Sequence, residues 1–294
     1  MRLALISDSH YPWKLTKLSV LASHYGYTES FYSNLELFYS QISTFEVDAL
    51  IINGDFGWDL FSFPFSENIL EKMDPMWYFY PFVQVSIVRN LVDERIPLIF
   101  TKGNHDFWFE LVVNPINDNG TKELYLDIRK FEHYLQQFAL SRTKNTQIFQ
   151  TIVDYFGDSP VGMDSKIKLG ENIILLHNSG MCLRDVLLYG LPWYEKNDSI
   201  KSWTMYKQEI VHDYISFVQY AQNKMNPNKI IILQHRNPPT MNFIKEFNTT
   251  HLHYFCYGHW HGISDFMVEK YMKYGHYVCV MPEKNQFKPV ILEV

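Results

Sequence analysis

Short apolar runs recur along this chain, and each stops at polar residues. Leu3-Ala4-Leu5-Ile6 ends in Ser7-Asp8-Ser9-His10, and Asp48-Ala49-Leu50-Ile51-Ile52 ends in Asn53-Gly54-Asp55. Pro97-Leu98-Ile99-Phe100 ends in Thr101-Lys102-Gly103-Asn104-His105-Asp106. Later, Asn172 to Leu176 leads into His177-Asn178-Ser179-Gly180, and Val186 to Leu191 leads into Pro192-Trp193-Tyr194. Lys229 to Leu233 leads into Gln234-His235-Arg236, and Leu252 to Cys256 into Tyr257-Gly258-His259-Trp260-His261. Such runs are too short for helices and suit buried strands. The tail, Tyr277 to Val280 and Pro289 to Leu292, reads as a closing pair of strands.

Helical spacing fills the gaps. Phe31, Leu35, Phe38 and Ile42 line one face of a stretch from about Glu29 to Phe45. A second stretch runs from Ser66 to about Glu94, with Pro75 and Pro81 as interruptions. Leu124 to Leu140 and Ser202 to Asn223 also read as helices. Strands alternating with helices predict an α/β fold, and open α/β sheets hold ligands at the carboxyl ends of their strands.

At 294 residues the chain allows one large domain or two smaller ones. No repeat or Gly/Ser linker divides it, so a single domain over 1–294 is expected. The stretch 107–170 is the least regular. Pattern alone does not separate a lid over the site from ordinary crossover structure.

The formal net charge of −6, with 26 basic and 32 acidic residues, comes without a Lys/Arg-rich run. A broad electrostatic surface for duplex DNA is therefore not advertised. Three scattered cysteines, Cys182, Cys256 and Cys279, form no C-x-x-C pair, against a disulfide framework or zinc knuckle. No apolar run reaches transmembrane length. The first strand begins at Arg2-Leu3 with Asp8 and His10 close behind, which leaves no room for a signal peptide. The expected location is cytoplasmic, with no membrane partner.

The chemistry lies at the strand ends. Five runs terminate in Asp8 with His10, Asp55, Asn104 with His105, His235, and His259 with His261. All these donors are oxygen or imidazole nitrogen, a set that suits manganese, iron, zinc or nickel in an open catalytic site. Asp8, His10, Asp55, Asn104, His235, His259 and His261 are too many for one ion and about right for two. A carboxylate can bridge, and Asp55 is the choice for that. Two ions about 3.5–4 Å apart lower the pKa of a bridging water, polarise phosphoryl oxygens and stabilise oxyanions. The leaving group then needs a proton. His105 stands beside Asn104 to supply it, and Asp106 could hold its ring. His177 also ends an apolar run and stays open as a site residue.

With Gly54-Asp55, Gly103-Asn104-His105-Asp106, Gln234-His235-Arg236-Asn237-Pro238-Pro239 and Gly258-His259-x-His261, the order and context of these motifs resemble the calcineurin-like metallophosphoesterases. The resemblance runs from residue 6 to residue 261. It implies a four-layer α/β/β/α sandwich with two mixed β-sheets. It implies Asp8, His10, Asp55 and His261 around one divalent metal, and Asp55, Asn104, His235 and His259 around the other. His105 would contact phosphate and protonate the leaving group. Manganese is the first expectation for both positions. Protein Ser/Thr phosphatases of the superfamily carry an Arg soon after Gly-Asp and a Glu closing the Gly-Asn-His motif. Here Phe56-Gly57-Trp58-Asp59 and Asp106 stand instead, so phosphoprotein substrates are disfavoured.

Aromatics beside the motifs narrow the substrate. Trp58, Trp108 and Trp193 could stack a nucleobase, for about 1–3 kcal/mol each. Arg236 could bind a second phosphate or a diester oxygen. The expected partner is a small, nucleotide-like phosphomonoester or phosphodiester, with nucleic acid through the nuclease branch as the alternative. A catalytically silent scaffold should have lost ligands, and none is missing. Oligomeric state is not specified by the pattern.

Overall fold

The computed structural model describes residues 1–9, 29–57, 66–157, 166–191, 200–225, 227–235, 252–258, 276–280, 287 and 289–294. In chain order the elements are β1 (Arg2–Ile6), α1 (Glu29–Gln41), β2 (Ala49–Asn53), α2 (Glu67–Lys72), α3 (Tyr80–Leu91), β3 (Leu98–Thr101), β4 (Val112–Val113) and β5 (Glu123–Asp127). They continue with α4 (Ile128–Gln136), α5 (Arg142–Phe156), β6 (Lys166–Glu171), β7 (Ile173–Leu176), β8 (Ser179–Leu183) and β9 (Val186–Gly190). The remainder are α6 (Ile200–Met225), β10 (Lys229–Gln234), β11 (Leu252–Tyr257), β12 (His276–Cys279) and β13 (Val290–Glu293).

Among the described residues, two five-stranded mixed sheets form the centre. The first has the order β13-β1-β2-β3-β7, parallel except for β13. The second has the order β12-β11-β10-β9-β8, parallel except for β8. Side chains alternate across each strand, and the layers follow from that period. Leu3 and Leu5 of β1, Ala49 and Ile51 of β2, and Ile99 of β3 meet Val186, Leu188, Ile231, Leu233 and Cys256 of the second sheet. The intervening residues Ala4, Ile6, Leu50, Ile52, Leu98 and Phe100 face outward, against Phe31 and Leu35 of α1 and Phe82 and Val85 of α3. On the other side, Leu187, Tyr189, Ile230, Ile232 and Phe255 pack under Ile210, Tyr214 and Val218 of α6. The fold is the expected four-layer α/β/β/α sandwich. Each fully buried Leu or Ile contributes roughly 1.5–3 kcal/mol of transfer free energy.

The segment 107–170 contributes a three-stranded sheet, β4-β5-β6, and helices α4 and α5. Its Phe131, Ile148, Ile152, Ile167 and Leu169 join the same apolar cluster as Phe82 and Val83 of α3. Ser141 Oγ caps α5 by accepting from Lys144 N at 3.1 Å, and Gly157 ends it at φ 72°.

Two expectations are corrected. The helix read over 124–140 begins only at Ile128. Before it, Leu124 and Leu126 alternate into the core as β5, and Asp127 Oδ1 then caps α4 through Arg129 N and Lys130 N. The two tail strands do not pair with each other, since β12 joins β11 in one sheet and β13 joins β1 in the other. Beyond the 172–176 run, Ser179 opens β8, a strand the apolar pattern did not mark, which folds back on β9 as a hairpin. Pro75 and Pro81 do interrupt the 66–94 stretch, the first opening a 3-10 turn and the second seated in the first turn of α3.

Candidate metal centre

The carboxyl ends of β1, β2, β3 and β10 converge. Asp8 follows β1, Asp55 follows β2, and His235 follows β10; all three are buried, with one donor atom from each lying within 4.8 Å of the others. His235 Nε2 lies 2.9 Å from Asp55 Oδ2 and 3.8 Å from Asp8 Oδ1. His235 Nδ1 lies 3.0 Å from the Asn53 carbonyl oxygen. A carbonyl only accepts, so Nδ1 carries a proton and Nε2 is the atom turned toward the carboxylates.

The turns that deliver these groups are held tightly. Asp8 (φ 52°) and Asp55 (φ 50°) both sit in the left-handed region, which costs about 1–3 kcal/mol for a residue with a Cβ and is most tolerable for Asp and Asn. Asp8 N donates to Gly54 O at 3.0 Å, linking the first turn to the second. His105 N donates to Asp55 Oδ1 at 2.8 Å, linking the second to the third. Glycines provide the clearance. A Cβ on Gly103 would overlap Asp55 Oδ1, one on Gly258 would overlap Ser7 Oγ, and Gly54 (φ 82°) lies against the His235 ring.

Asp106 behaves differently from expectation. It is fully buried, and its Oδ1 accepts from Phe56 N (3.0 Å), Gly57 N (3.2 Å) and Trp108 Nε1 (3.0 Å), while Oδ2 accepts from Gly103 N (2.9 Å). Three donors crowd Oδ1 and one meets Oδ2, and none of the four comes from the His105 ring. The carboxylate therefore ties the Asp55 loop to the Gly103 turn rather than orienting the His105 ring. Burial, then the charge of Asp55, raises its pKa, against the Gly103 and Gly57 N–H groups and His235. Trp108 is likewise not a stacking surface. It is buried, edge-on to Phe100 at 5.6 Å and to Phe56 at 6.3 Å.

His235 carries the electrostatic signature of the cluster. Burial alone would lower its pKa, but the charges of Asp55 and Asp8, with the bonds to Asp55 and the Asn53 carbonyl, push it up to about 10. The cluster is thus an excess of buried negative charge that a proton on His235 partly balances. The residues present fit a divalent cation. Two buried carboxylates and a buried imidazole converge, and among the described residues the buried Asn104 Oδ1 has no hydrogen-bond partner. Such an oxygen is costly unless something cationic or hydrogen-bonding meets it.

His10, Trp58, Trp193, Arg236, His259 and His261 lie outside the described residues. His177 follows β7, adjacent in register to Lys102, since Thr101 pairs with Leu176. Burial of part of the ring, then the Lys102 charge, lowers its pKa, while Glu110 opposes. Lys102 itself is paired with Glu110.

Ligand-type side chains set at the carboxyl edge of a four-layer α/β/β/α sandwich define a metal-dependent phosphoesterase as a class. The family profile of the calcineurin-like phosphoesterases matches residues 1–262, and the chain belongs to that family, whose members are metal-dependent hydrolases acting on phosphoric esters. No curated protein matches the chain. Among the described residues no helix is long and apolar enough to cross a membrane.

Proposed function

We propose that the chain hydrolyses a nucleotide-type phosphomonoester or phosphodiester with two divalent ions, manganese foremost, ahead of iron, zinc or nickel. Asp8, His10, Asp55 and His261 would hold one ion, and Asp55, Asn104, His235 and His259 the other. The observation that carries this is the convergence of Asp8, Asp55 and His235 from three strands of two sheets; Asn104, whose Oδ1 is buried, directly precedes His105, whose N–H is bonded to Asp55. Asp55 suits the bridge because its two oxygens face different groups, Oδ1 toward His105 N and Oδ2 toward His235 Nε2.

When bound, the ions supply Lewis acidity and a water of lowered pKa. The chain's own residues do the rest. Asp8 and Asp55 concentrate the negative charge that holds the cations. The Nδ1–H bond to Asn53 O keeps the His235 Nε2 lone pair available. His105, next to Asn104 in sequence, would give a proton to the departing alkoxide, while its backbone N–H steadies Asp55. The 107–170 segment is read as framework within a single domain, because its apolar faces are sunk in the core around α3. A cytoplasmic setting goes with this reading. The base-stacking role rests on Trp58 and Trp193, since Trp108 is buried.

The experiment is metal analysis followed by a substrate panel. The protein reconstituted with manganese should hold two equivalents per chain and hydrolyse nucleotides, cyclic nucleotides or dinucleoside polyphosphates. Fewer than two equivalents would sink the dinuclear reading. Turnover confined to phosphoproteins would sink the substrate class, and turnover confined to DNA or RNA would move it to the nuclease alternative. His105→Ala should retain both ions yet slow turnover by about 10²–10⁴-fold, most on substrates with poor leaving groups.

A further inference from the structure

The inward-facing rows of the two sheets change character at one level. In β1 the row Leu3, Leu5 continues to Ser7; in β2, Ala49, Ile51 continues to Asn53; in β3, Ile99 continues to Thr101. On the opposing sheet Ile231 and Leu233 continue to His235. Period-two alternation places all four polar residues in the seam between the sheets, with Ser7, Asn53 and Thr101 beneath the cluster and His235 part of it. Ser7, Asn53, Thr101 and His235 are all buried.

Asn53 is the hub of that tier. Its Oδ1 accepts from Thr101 Oγ1 at 2.8 Å. Its Nδ2 donates across the seam to the carbonyls of Gln234 (3.1 Å) and Cys256 (3.4 Å) in the second sheet. The amide has one workable orientation, because a flip would set Oδ1 against two carbonyl oxygens. Its main-chain oxygen accepts from His235 Nδ1 at 3.0 Å. Ser7 Oγ lies 2.7 Å from that same oxygen and 2.5 Å from Asp8 Oδ2, and its single proton serves one acceptor at a time. One residue thus fixes the spacing of the two sheets, the tautomer of His235 and, through Ser7, the approach of Asp8.

We propose that Asn53, oriented by Thr101, is a positioning residue for the metal centre, latching the second sheet to the first so that His235 meets Asp8 and Asp55. The inference rests on the reading of that cluster as a metal site. The neutral amide is suited to the task. It carries donors and an acceptor on one rigid plane, and it adds no charge beside two carboxylates.

The test is manganese titration of the metal-free, full-length protein by calorimetry, with melting temperature measured in chelator. Asn53→Leu keeps the volume and the main-chain carbonyl but loses the latch; Thr101→Val loses only the orienting hydroxyl; Thr101→Ser keeps it. The expected losses in manganese affinity are about 100-fold for Asn53→Leu and about tenfold for Thr101→Val, with Thr101→Ser within about twofold of wild type. Variants that melt lower yet bind manganese as the wild type does would make the latch merely structural and overturn the proposal. So would a Thr101→Ser affinity as weak as that of Thr101→Val. If Asn53→Leu does not fold, the two Thr101 variants decide alone. A wild-type protein that takes up no manganese would overturn the metal reading and this inference with it, whereas wild-type binding with unchanged variants overturns this inference only.

Discussion

The two sheets are alike in strand number, mixed pairing and apolar alternation, yet they serve the site differently. Among the described residues the first brings oxygen donors together: Asp8 and Asp55 follow β1 and β2 in left-handed turns, Asn104 follows β3, and hydrogen bonds from Asp8 N and His105 N tie the turns to one another. The second supplies nitrogen: His235 leaves β10 and is steered by a carbonyl that belongs to the first sheet. Oxygen ligands on neighbouring strands are held at a spacing set by the sheet's own hydrogen bonding. The imidazole reaches them only if the opposing sheet docks at the right distance. The seam is therefore part of the centre, and neither sheet carries the site by itself.

The strongest way to break this arrangement is to remove the residue that both halves share. Asp55→Asn should cut metal-dependent hydrolysis by more than about 100-fold, the upper cost of losing only an outer partner of a ligand. It should also lower the manganese content of the reconstituted protein. Full metal content with normal turnover would show that Asp55 is not central.

Next comes a pair of neighbours on opposite faces of β10. Ile231 faces the seam and Ile232 faces α6, and both are fully buried. Replacing either by Ala should cost about 2–5 kcal/mol of stability, read by denaturant unfolding. Only Ile231→Ala should also weaken manganese binding by the folded protein. Equal effects of the two on binding would mean that the seam has no special standing.

The charge balance between the sheets offers a third probe. The folded pKa of His235, pushed up to about 10, lies above its ordinary 6.5. The stabilisation from a protonated His235 is therefore complete below about 6.5 and is lost as pH rises through about 10. The metal-free protein should melt at lower temperature across that window, and the gap to the manganese-loaded protein should widen with pH. A gap that narrows would contradict the assignment.

The smallest effect is expected within the first sheet's own bracing. Trp108→Phe removes the indole N–H from Asp106 Oδ1 while keeping most of the aromatic packing. A hydrogen bond to a charged group is worth about 1.5–3 kcal/mol, and three other donors to Asp106 remain to soften the loss. Stability should fall at or below the low end of that range, with the leaving-group dependence of turnover unchanged. A change in that dependence would restore Asp106 to the role of aligning the His105 ring.

Much of the fold was legible because buried strands in this chain are short, apolar and punctuated by the very residues that do the chemistry. β1, β2, β3, β7, β9, β10 and β11 could all be marked from their runs, and Asp8, Asp55, Asn104 and His235 from the ends. β5 was hidden because Leu124 also starts a helical row that continues through Ile128 and Phe131 to Leu135. Asp106 and Trp108 were misread because both lie beside the motif in sequence. Their side chains turn inward, a choice made by Phe56, Gly57 and Phe100 from other segments. Asn53 had a signal that went unused, a polar residue at the inward position of a β2 row otherwise filled by Ala49 and Ile51.

What the sequence determined by itself was local: which segments are strands, which faces are apolar, and which donors stand at the strand ends. Alternation and run length carry that information, since they act between residues near in the chain. The tertiary structure alone decided which strands share a sheet, that β12 and β13 part company, and that His235 crosses a seam to meet Asp8 and Asp55. Those outcomes depend on contacts between residues far apart in the chain. No local pattern encodes them, because the same alternating strand can pair with several partners until packing selects one.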